Sequence, residues 1–527
     1  MTVRPRPRLH YPDQPLHQFL RDAADRRGER IALRFEDAAY TFRELDARGT
    51  NFANALSRLG LGMGDRVLLA SGNRPEWLMV QHGISQVGGA TVLVNSSWRE
   101  GEVGHATELT RPAAVVADTA MAERLSASAL TLPDVRICLD DQPPAGWRPF
   151  WDVIADAPGG RPPDLDADLS RLEALLPFSS GTTGLPKAVR HSHRSLVAAA
   201  IQRVASYGIS DLDRLQFFMP LFTIYGVVVY TSVFASGASL RLFRRFDPQT
   251  VLQNMQDERI TIAFAAAPVA AALRDRPDLE DYDLSSLRYM MWGATPVVPE
   301  IAADVSARTG IRWFVAYAAT ESGIAANPIE EPSAWRLDSP GLAISDVEIR
   351  VVDLVTHREV EPGHEGELVV RGPSTMLGYL PEEDDADAFL PGGWFRTGDI
   401  GWLEPEGWIH LTDRAKEMMK VSAFQVAPTE IERLLLAHPG ISDCAVYGIP
   451  DARLGEVPKA AVVLAPGAQL SEEEVIAYSA EHLASYKRVR YVAFVDEVPR
   501  NAAGKVLRRV LRANDPDVGT GHVPPGA

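Results

Sequence analysis

The sequence predicts two unequal domains: a large α/β N-terminal domain ending in a small β subdomain, then a smaller α+β C-terminal domain. Three observations carry this. At 527 residues the chain exceeds what one ordinary core fills. Over roughly its first four hundred residues, short β-branched runs alternate with amphipathic segments, the pattern of helices covering mostly parallel sheets. After about Ala343 the texture turns to short alternating strands and turns, and near residues 412–416 it shifts again.

The elements follow in order. Residues 41–59 read as a helix, with Leu45, Phe52, Ala55, Leu56 and Leu59 on one face and a capping box of Thr41 with Glu44 at its start. Residues 66–70 and 90–94 read as buried strands. The apolar run at 174–178 reads as a strand feeding a loop. From Leu215 to Leu240 no residue is charged, a length that spans a bilayer, yet Pro220 and Gly226 interrupt it and hydroxyls stud it. A buried strand, a loop and a buried helix account for it better, so no membrane span is expected. Residues 347–352, 367–371 and 408–411 alternate as strands of the small β subdomain. Beyond them, 428–436 reads as a helix, 460–464 as a strand and 471–483 as a helix capped by Ser471 with Glu474. The expected domains are residues 1–413 and 414–527, with a loose tail from Pro516.

Composition narrows the function. A chain 46% apolar and 23% charged is that of a soluble globular enzyme. A net charge of −17 argues against nucleic acid or an anionic membrane as partner, so an anionic substrate must be drawn by local positive groups. Two cysteines, Cys138 and Cys444, with no metal or redox motif around them, fit a reduced setting. The N-terminus lacks the apolar core of a secretory signal, and a cytoplasmic location is expected.

The most informative stretch is Ser179-Ser180-Gly181-Thr182-Thr183-Gly184-Leu185-Pro186-Lys187. Hydroxyls and bare backbone N–H groups donate to phosphate oxygens, glycine lets the backbone approach, and lysine adds a compact charge. The loop is built to hold a polyphosphate. It is not the common P-loop, because Pro186 precedes Lys187 and Ala188 follows it. His191 and His193 have metal-pair spacing but lack a third ligand, and a role at the start of the following helix is the better reading. The acidic run 382–385 reads as a solvated turn.

Further segments fall in a fixed order after this loop: Met219 to Gly226, Tyr317-Ala318-Ala319-Thr320-Glu321, Trp394 to Asp399, Asp413 to Lys416 running on to Pro428, and Pro499 to Lys505. With the opening Tyr40 to Leu45 and Gly64 to Val67, they resemble the adenylate-forming superfamily of acyl-CoA synthetases, peptide-synthetase adenylation domains and luciferases, from about Leu16 to Arg512. The resemblance implies an N-terminal domain of two α/β sheet subdomains plus a small β subdomain, carrying a mobile C-terminal lid. It implies two half-reactions. A carboxylate attacks the α-phosphate of ATP to give acyl-adenylate and pyrophosphate, and a nucleophile then attacks the acyl carbon and expels AMP.

The same resemblance assigns roles. Thr182 and Thr183 with the rest of the loop hold the β- and γ-phosphates, and Glu321 holds Mg²⁺, a hard ion suited to oxygen. Thr320 donates to the α-phosphate, Tyr317 stacks on adenine, and Asp399 assisted by Arg414 accepts from the ribose. Gly293, Ala294, Lys420 and Gln425 join the nucleotide site. Lys505 bridges the acid and the α-phosphate, and Lys416 is the hinge. Thr223, Tyr225, Val229, Trp292, Gly293, Ile324 and Ala325 line the acyl pocket, an aromatic lining that points to a small cyclic, aryl or short-chain acid.

The chain departs from the family pattern on the acyl and acceptor side. Thr223 stands where many members have a gating histidine, Trp292 where a small residue is usual, and Ala188, Ala318 and Ala423 where glycines are usual. A methyl at Ala423 narrows the pantetheine channel or penalises a backbone conformation glycine takes easily. Two acceptors therefore stay open. One is CoA, in an acid–CoA ligase; residues 424–428 resemble aryl and medium-chain CoA ligases. The other is an amine or amino acid, in an amide-forming ligase.

Overall fold

The computed structural model describes residues 6–179, 186–421, 424–451, 454–501 and 504–515. Among these, the strands form four sheets. One nine-stranded sheet runs in the order Leu342–Ala343, Gly323–Ala326, Trp313–Ala318, Tyr289–Trp292, Ile262–Ala265, Arg214–Phe217, Ser239–Leu242, Ile31–Phe35 and Ala38–Thr41. Its inner strands, from Trp313–Ala318 to Ile31–Phe35, are parallel. The second nine-stranded sheet centres on the parallel strands Ala90–Val94, Arg66–Ala70 and Ala114–Ala117, with Gly378–Leu380 at one edge. The inner strands of both sheets are almost wholly buried, as parallel strands covered on two faces are.

Helices fill the space between these sheets. Helix Phe42–Arg58 starts at the expected capping box, with Thr41 accepting from the Glu44 amide and Glu44 accepting from the Thr41 amide. It packs on helix Pro75–Gln86, every residue of which is buried. Two glycines permit that crossing: a Cβ on Gly49 would stand 2.6 Å from the His82 ring, and one on Gly83 would stand 2.7 Å from the Gly49 carbonyl oxygen. The uncharged stretch resolves into strand Arg214–Phe217, a loop and buried helix Ile224–Ser236, followed by strand Ser239–Leu242. Among the described residues no helix is long and apolar enough to cross a membrane.

The third sheet joins Glu348–Val352, Gly366–Arg371, Trp394–Leu403, Phe389–Leu390 and Ile409–Arg414. It is antiparallel throughout. The fourth carries Phe424–Val426, Met419–Val421, Gly455–Leu464, Ile441–Asp451 and Tyr491–Phe494. Helices Pro428–Leu436 and Glu472–His482 belong with it, the latter behind the expected Ser471/Glu474 box.

One expectation needs correcting here. The acidic run is a 3₁₀ turn, Glu382–Asp385, but it is not merely solvated. Glu382 pairs with Arg190 at 2.8 Å, Asp384 with Lys187 at 3.0 Å, and Asp385 accepts from the Tyr379 amide. The turn fastens edge strand Gly378–Leu380 to strand Lys187–Ser192, a long-range pairing that no local charge pattern discloses.

Candidate active site

The site lies where strand ends of the large sheets meet the antiparallel sheet. The phosphate loop itself, residues 180–185 with Ser180, Gly181, Thr182, Thr183 and Gly184, lies outside the described residues. Its two ends are brought together, because Ser179 and Lys187 are directly paired across antiparallel strands. The Lys187 ammonium also lies 5.2 Å from the ring centroid of Tyr379.

Thr320 and Glu321 follow strand Trp313–Ala318. The Nε2–H of His191 donates to the Thr320 carbonyl at 2.8 Å and fixes that turn. Burial holds His191 and His193 down to about 4, so both rings are neutral at neutral pH. His193 begins helix His193–Tyr207, and its Nδ1 meets the Leu16 amide at 3.2 Å. Among the described residues no cluster of metal-ligating side chains forms around this pair.

Glu321 is only 8% exposed, and burial raises its carboxyl above the usual range. Tyr379 donates to its Oε1 at 2.8 Å, and no other side chain among the described residues donates to this carboxylate. Sequence reasoning missed Tyr379. No local pattern marks it, since its place comes from the antiparallel pairing of Val189 with Tyr379. A buried carboxylate with one oxygen fixed and the other left for a hard cation is a fitting donor for Mg²⁺.

Asp399 and Arg414 are direct cross-strand partners, and the Arg414 Nε donates to Asp399 Oδ1 at 2.7 Å. Tyr317 donates its phenol proton to Asp399 Oδ2. Burial and the neighbouring carboxylate push the Tyr317 phenol well up, so it remains a donor. A carboxylate has about four lone-pair sites, so Asp399 keeps capacity for further hydroxyls.

Lys505 comes from the C-terminal part of the chain. It sits on a tight turn in which Asn501 accepts from the Lys505 amide at 2.9 Å and Gly504 adopts φ +83°. A Cβ on Gly504 would lie 3.4 Å from Pro268 and 3.8 Å from Thr295, so the turn rests on the large domain. Burial lowers the Lys505 ammonium from its ordinary value, with Arg414 acting in the same direction and Glu417 and Asp399 opposing. Its Nζ is 3.7 Å from Glu417, a second residue that sequence reasoning missed. Glu417 also pairs with Arg508.

The remaining candidates divide. Gly293 and Ala294 lie just past strand Tyr289–Trp292, and Ala294 holds a left-handed φ of +65°, uncommon for a residue with a Cβ. Lys416 is exposed, in the turn after strand Ile409–Arg414. Lys420 and Gln425 are paired across the hairpin of strands Met419–Val421 and Phe424–Val426, and Ala423 lies outside the described residues. Thr223 caps helix Ile224–Ser236: its hydroxyl donates to the Pro220 carbonyl and accepts from the Gly226 amide. The Tyr225 hydroxyl points at the Met291 sulfur, 3.7 Å away, with Phe217 and Phe264 around its ring.

Four of the residues expected at the acyl pocket are buried side chains. Trp292 is 0% exposed, its ring packed edge-on to Trp313 at 5.0 Å, and Val229, Ile324 and Ala325 are likewise buried. Each sits in or beside a close-packed strand or helix, where an apolar side chain is held by its neighbours.

Residues 20–380 match the family model of the AMP-binding enzymes, and residues 430–505 match that of the AMP-binding enzyme C-terminal domain. The chain belongs to the AMP-binding enzyme family and is an AMP-forming ligase. A 4-coumarate–CoA ligase-like protein of Oryza sativa subsp. japonica is 34% identical over 514 residues, 94% of this chain and 92% of the rice protein. The anthranilate CoA ligase AuaEII in complex with anthranoyl-AMP superposes with a TM-score of 0.87 at 26% identity, covering 95% of this chain and 97% of that one. The amide bond synthetase McbA from Marinactinospora thermotolerans does so with a TM-score of 0.83 at 28% identity, covering 95% and 99%.

Proposed function

We propose that the protein activates a small cyclic or aryl carboxylic acid with ATP and passes the acyl group to the thiol of CoA. An acid oxygen attacks the α-phosphorus and the bond to pyrophosphate breaks. The thiolate sulfur then attacks the acyl carbon, and the bond to the AMP oxygen breaks. A carboxylate is a poor acylating agent because oxide is a poor leaving group, whereas AMP leaves as a stable anion.

The observation that carries this reading is the seating of Lys505. A turn from the C-terminal part rests on Pro268 and Thr295, with its ammonium in Coulomb range of Asp399 and Arg414. Under this proposal the acid meets the α-phosphate there. In this reading residues 179–187 cradle the β- and γ-phosphates, Thr320 donates to the α-phosphate, and Tyr317 flanks adenine. Asp399, steadied by Arg414, accepts from the ribose, and Glu321 holds a Mg²⁺ whose charge offsets that of the phosphates. Lys505 balances the charge that builds at phosphorus, and removing it costs on the order of 10²–10³-fold in rate. Lys505→Ala should cut pyrophosphate release by that factor and spare thioester formation from synthetic acyl-adenylate. Full-speed activation by the variant overturns the assignment. The aromatic surround of Tyr225 supports an aryl acid, and palmitate outcompeting benzoate- or cinnamate-like acids by kcat/KM would refute that part.

A second reading has its own support. Thr223 is committed to a helix cap, the family resemblance sets a histidine there in many members and a glycine in place of Ala423, and the amide bond synthetase McbA is among the similar structures. An amine would then intercept the adenylate. Incubation with ATP, acid and either CoA or a panel of amines separates the two by product, and Ala423→Gly should raise CoA turnover only if the second reading holds.

A further inference from the structure

Arg203 has no part in the chemistry above, yet it occupies a costly position. It lies on helix His193–Tyr207 with 8% of its surface exposed. Its Nε and Nη1 are buried with no hydrogen-bond partner among the described residues. A guanidinium does not lose its proton, so this is a buried cation that no carboxylate among the described residues matches. What faces it is aromatic: its central carbon is 4.7 Å from the Tyr207 ring centroid and 5.4 Å from that of Tyr225. Ring faces attract a cation but leave its N–H donors unsatisfied.

The location gives that cation a use. The Tyr225 hydroxyl would be 3.8 Å from a Cβ on Gly293, and the Lys505 turn rests against Thr295, two residues further along. A line of neighbours thus runs from Lys505 through Thr295, Gly293 and Tyr225 to Arg203. Lys505 stands at the reacting end and Arg203 at the other. We propose that Arg203 reads the far end of the acid: the substrate carries, opposite its reacting carboxyl, an oxygen acceptor that completes the guanidinium's hydrogen bonds. The planar fork suits a second carboxylate or a carbonyl oxygen. This rests on the acid-activating function proposed above.

The test uses three para-substituted acids of similar size: terephthalate, 4-acetylbenzoate and 4-ethylbenzoate, with pyrophosphate release as readout. The two accepting acids should exceed 4-ethylbenzoate in kcat/KM by at least about tenfold, as expected where a site built for a polar group meets an analogue without one. Arg203→Met should bring the ratios to within about threefold of unity through KM for the accepting acids, and should not lower the melting temperature, because an unmatched buried charge is removed. Arg203→Lys, which keeps the charge but loses the fork, should retain a preference for terephthalate over 4-acetylbenzoate. An absent preference in the wild type, or a Met variant slowed by one factor on all three acids, overturns the proposal and leaves acid activation standing. Background pyrophosphate release from every acid tried overturns both.

Discussion

Glu321 and Asp399 are two carboxylates held under opposite electrostatics. Asp399 receives a guanidinium on one oxygen and a phenol on the other, so its charge is matched before any substrate arrives. Glu321 is buried, and its one side-chain donor among the described residues is the hydroxyl of Tyr379. Burial raises its pKa, and the Tyr379 hydrogen bond, which favours the charged form, holds that rise in check. If ionised Glu321 is what the reaction needs, the acid limb of the kcat/KM profile reports it. Tyr379→Phe removes the donor, so the carboxyl titrates at higher pH and the acid limb should move upward by about one unit, the size expected for a hydrogen bond to a charged group. A profile superimposable on wild type would show that Glu321 does not set that limb.

Single elements show what the sequence disclosed and what it withheld. The capping boxes at Thr41 and Ser471 were legible because each is a contact between residues three apart. The strands at Arg66–Ala70 and Ala90–Val94 were legible because parallel strands buried on both faces are continuous apolar runs. Tyr379, Glu417 and Asp384 were not, since each is placed by a partner far away in sequence. The packing of Trp292 against Trp313 was not legible either, since it depends on a neighbouring strand. The His191/His193 pair lies between. Its spacing was visible, but its place in the core comes from strand Lys187–Ser192 running into helix His193–Tyr207. Both rings have a folded pKa of about 4 against an ordinary 6.5. For a group depressed by folding, the stability is fully present above the unfolded value and is lost as pH falls toward the folded one. Each ring therefore accounts for about 3 kcal/mol lost between pH 6.5 and 4. His17 and His82, also depressed by burial, add to the same decline. His191→Gln should lower stability at neutral pH and reduce by about one the protons taken up on unfolding near pH 5. An unchanged slope of unfolding free energy against pH there would mean that this ring is not held neutral.

At the scale of the whole molecule, the proposed two-step chemistry calls for one part to move. Strand Ile409–Arg414 closes one sheet and strand Met419–Val421 begins the next, leaving residues 415–418 as the connection. Just before it, Asp413 accepts from the amide and hydroxyl of Thr429, and within it Glu417 lies beside Lys505 and Arg508. These contacts hold Lys505 near Asp399 and Arg414, which in the proposed function suits acid activation and leaves its ammonium in the way of an entering acceptor. We propose that for the second step the C-terminal part swings away, with Lys416, exposed and within the connection, as the pivot. Proline there fixes φ near −65° and bars Ala415 from the helical region, so it opposes rotation. Lys416→Pro should leave pyrophosphate release within about threefold of wild type, slow acyl transfer to CoA or amine by at least about 50-fold, and let acyl-adenylate accumulate, an effect comparable to mutating a hinge that gates turnover. Lys416→Gly, which frees the same bond, should run both steps. Equal slowing of both half-reactions by proline, or no effect on either, would locate the pivot elsewhere.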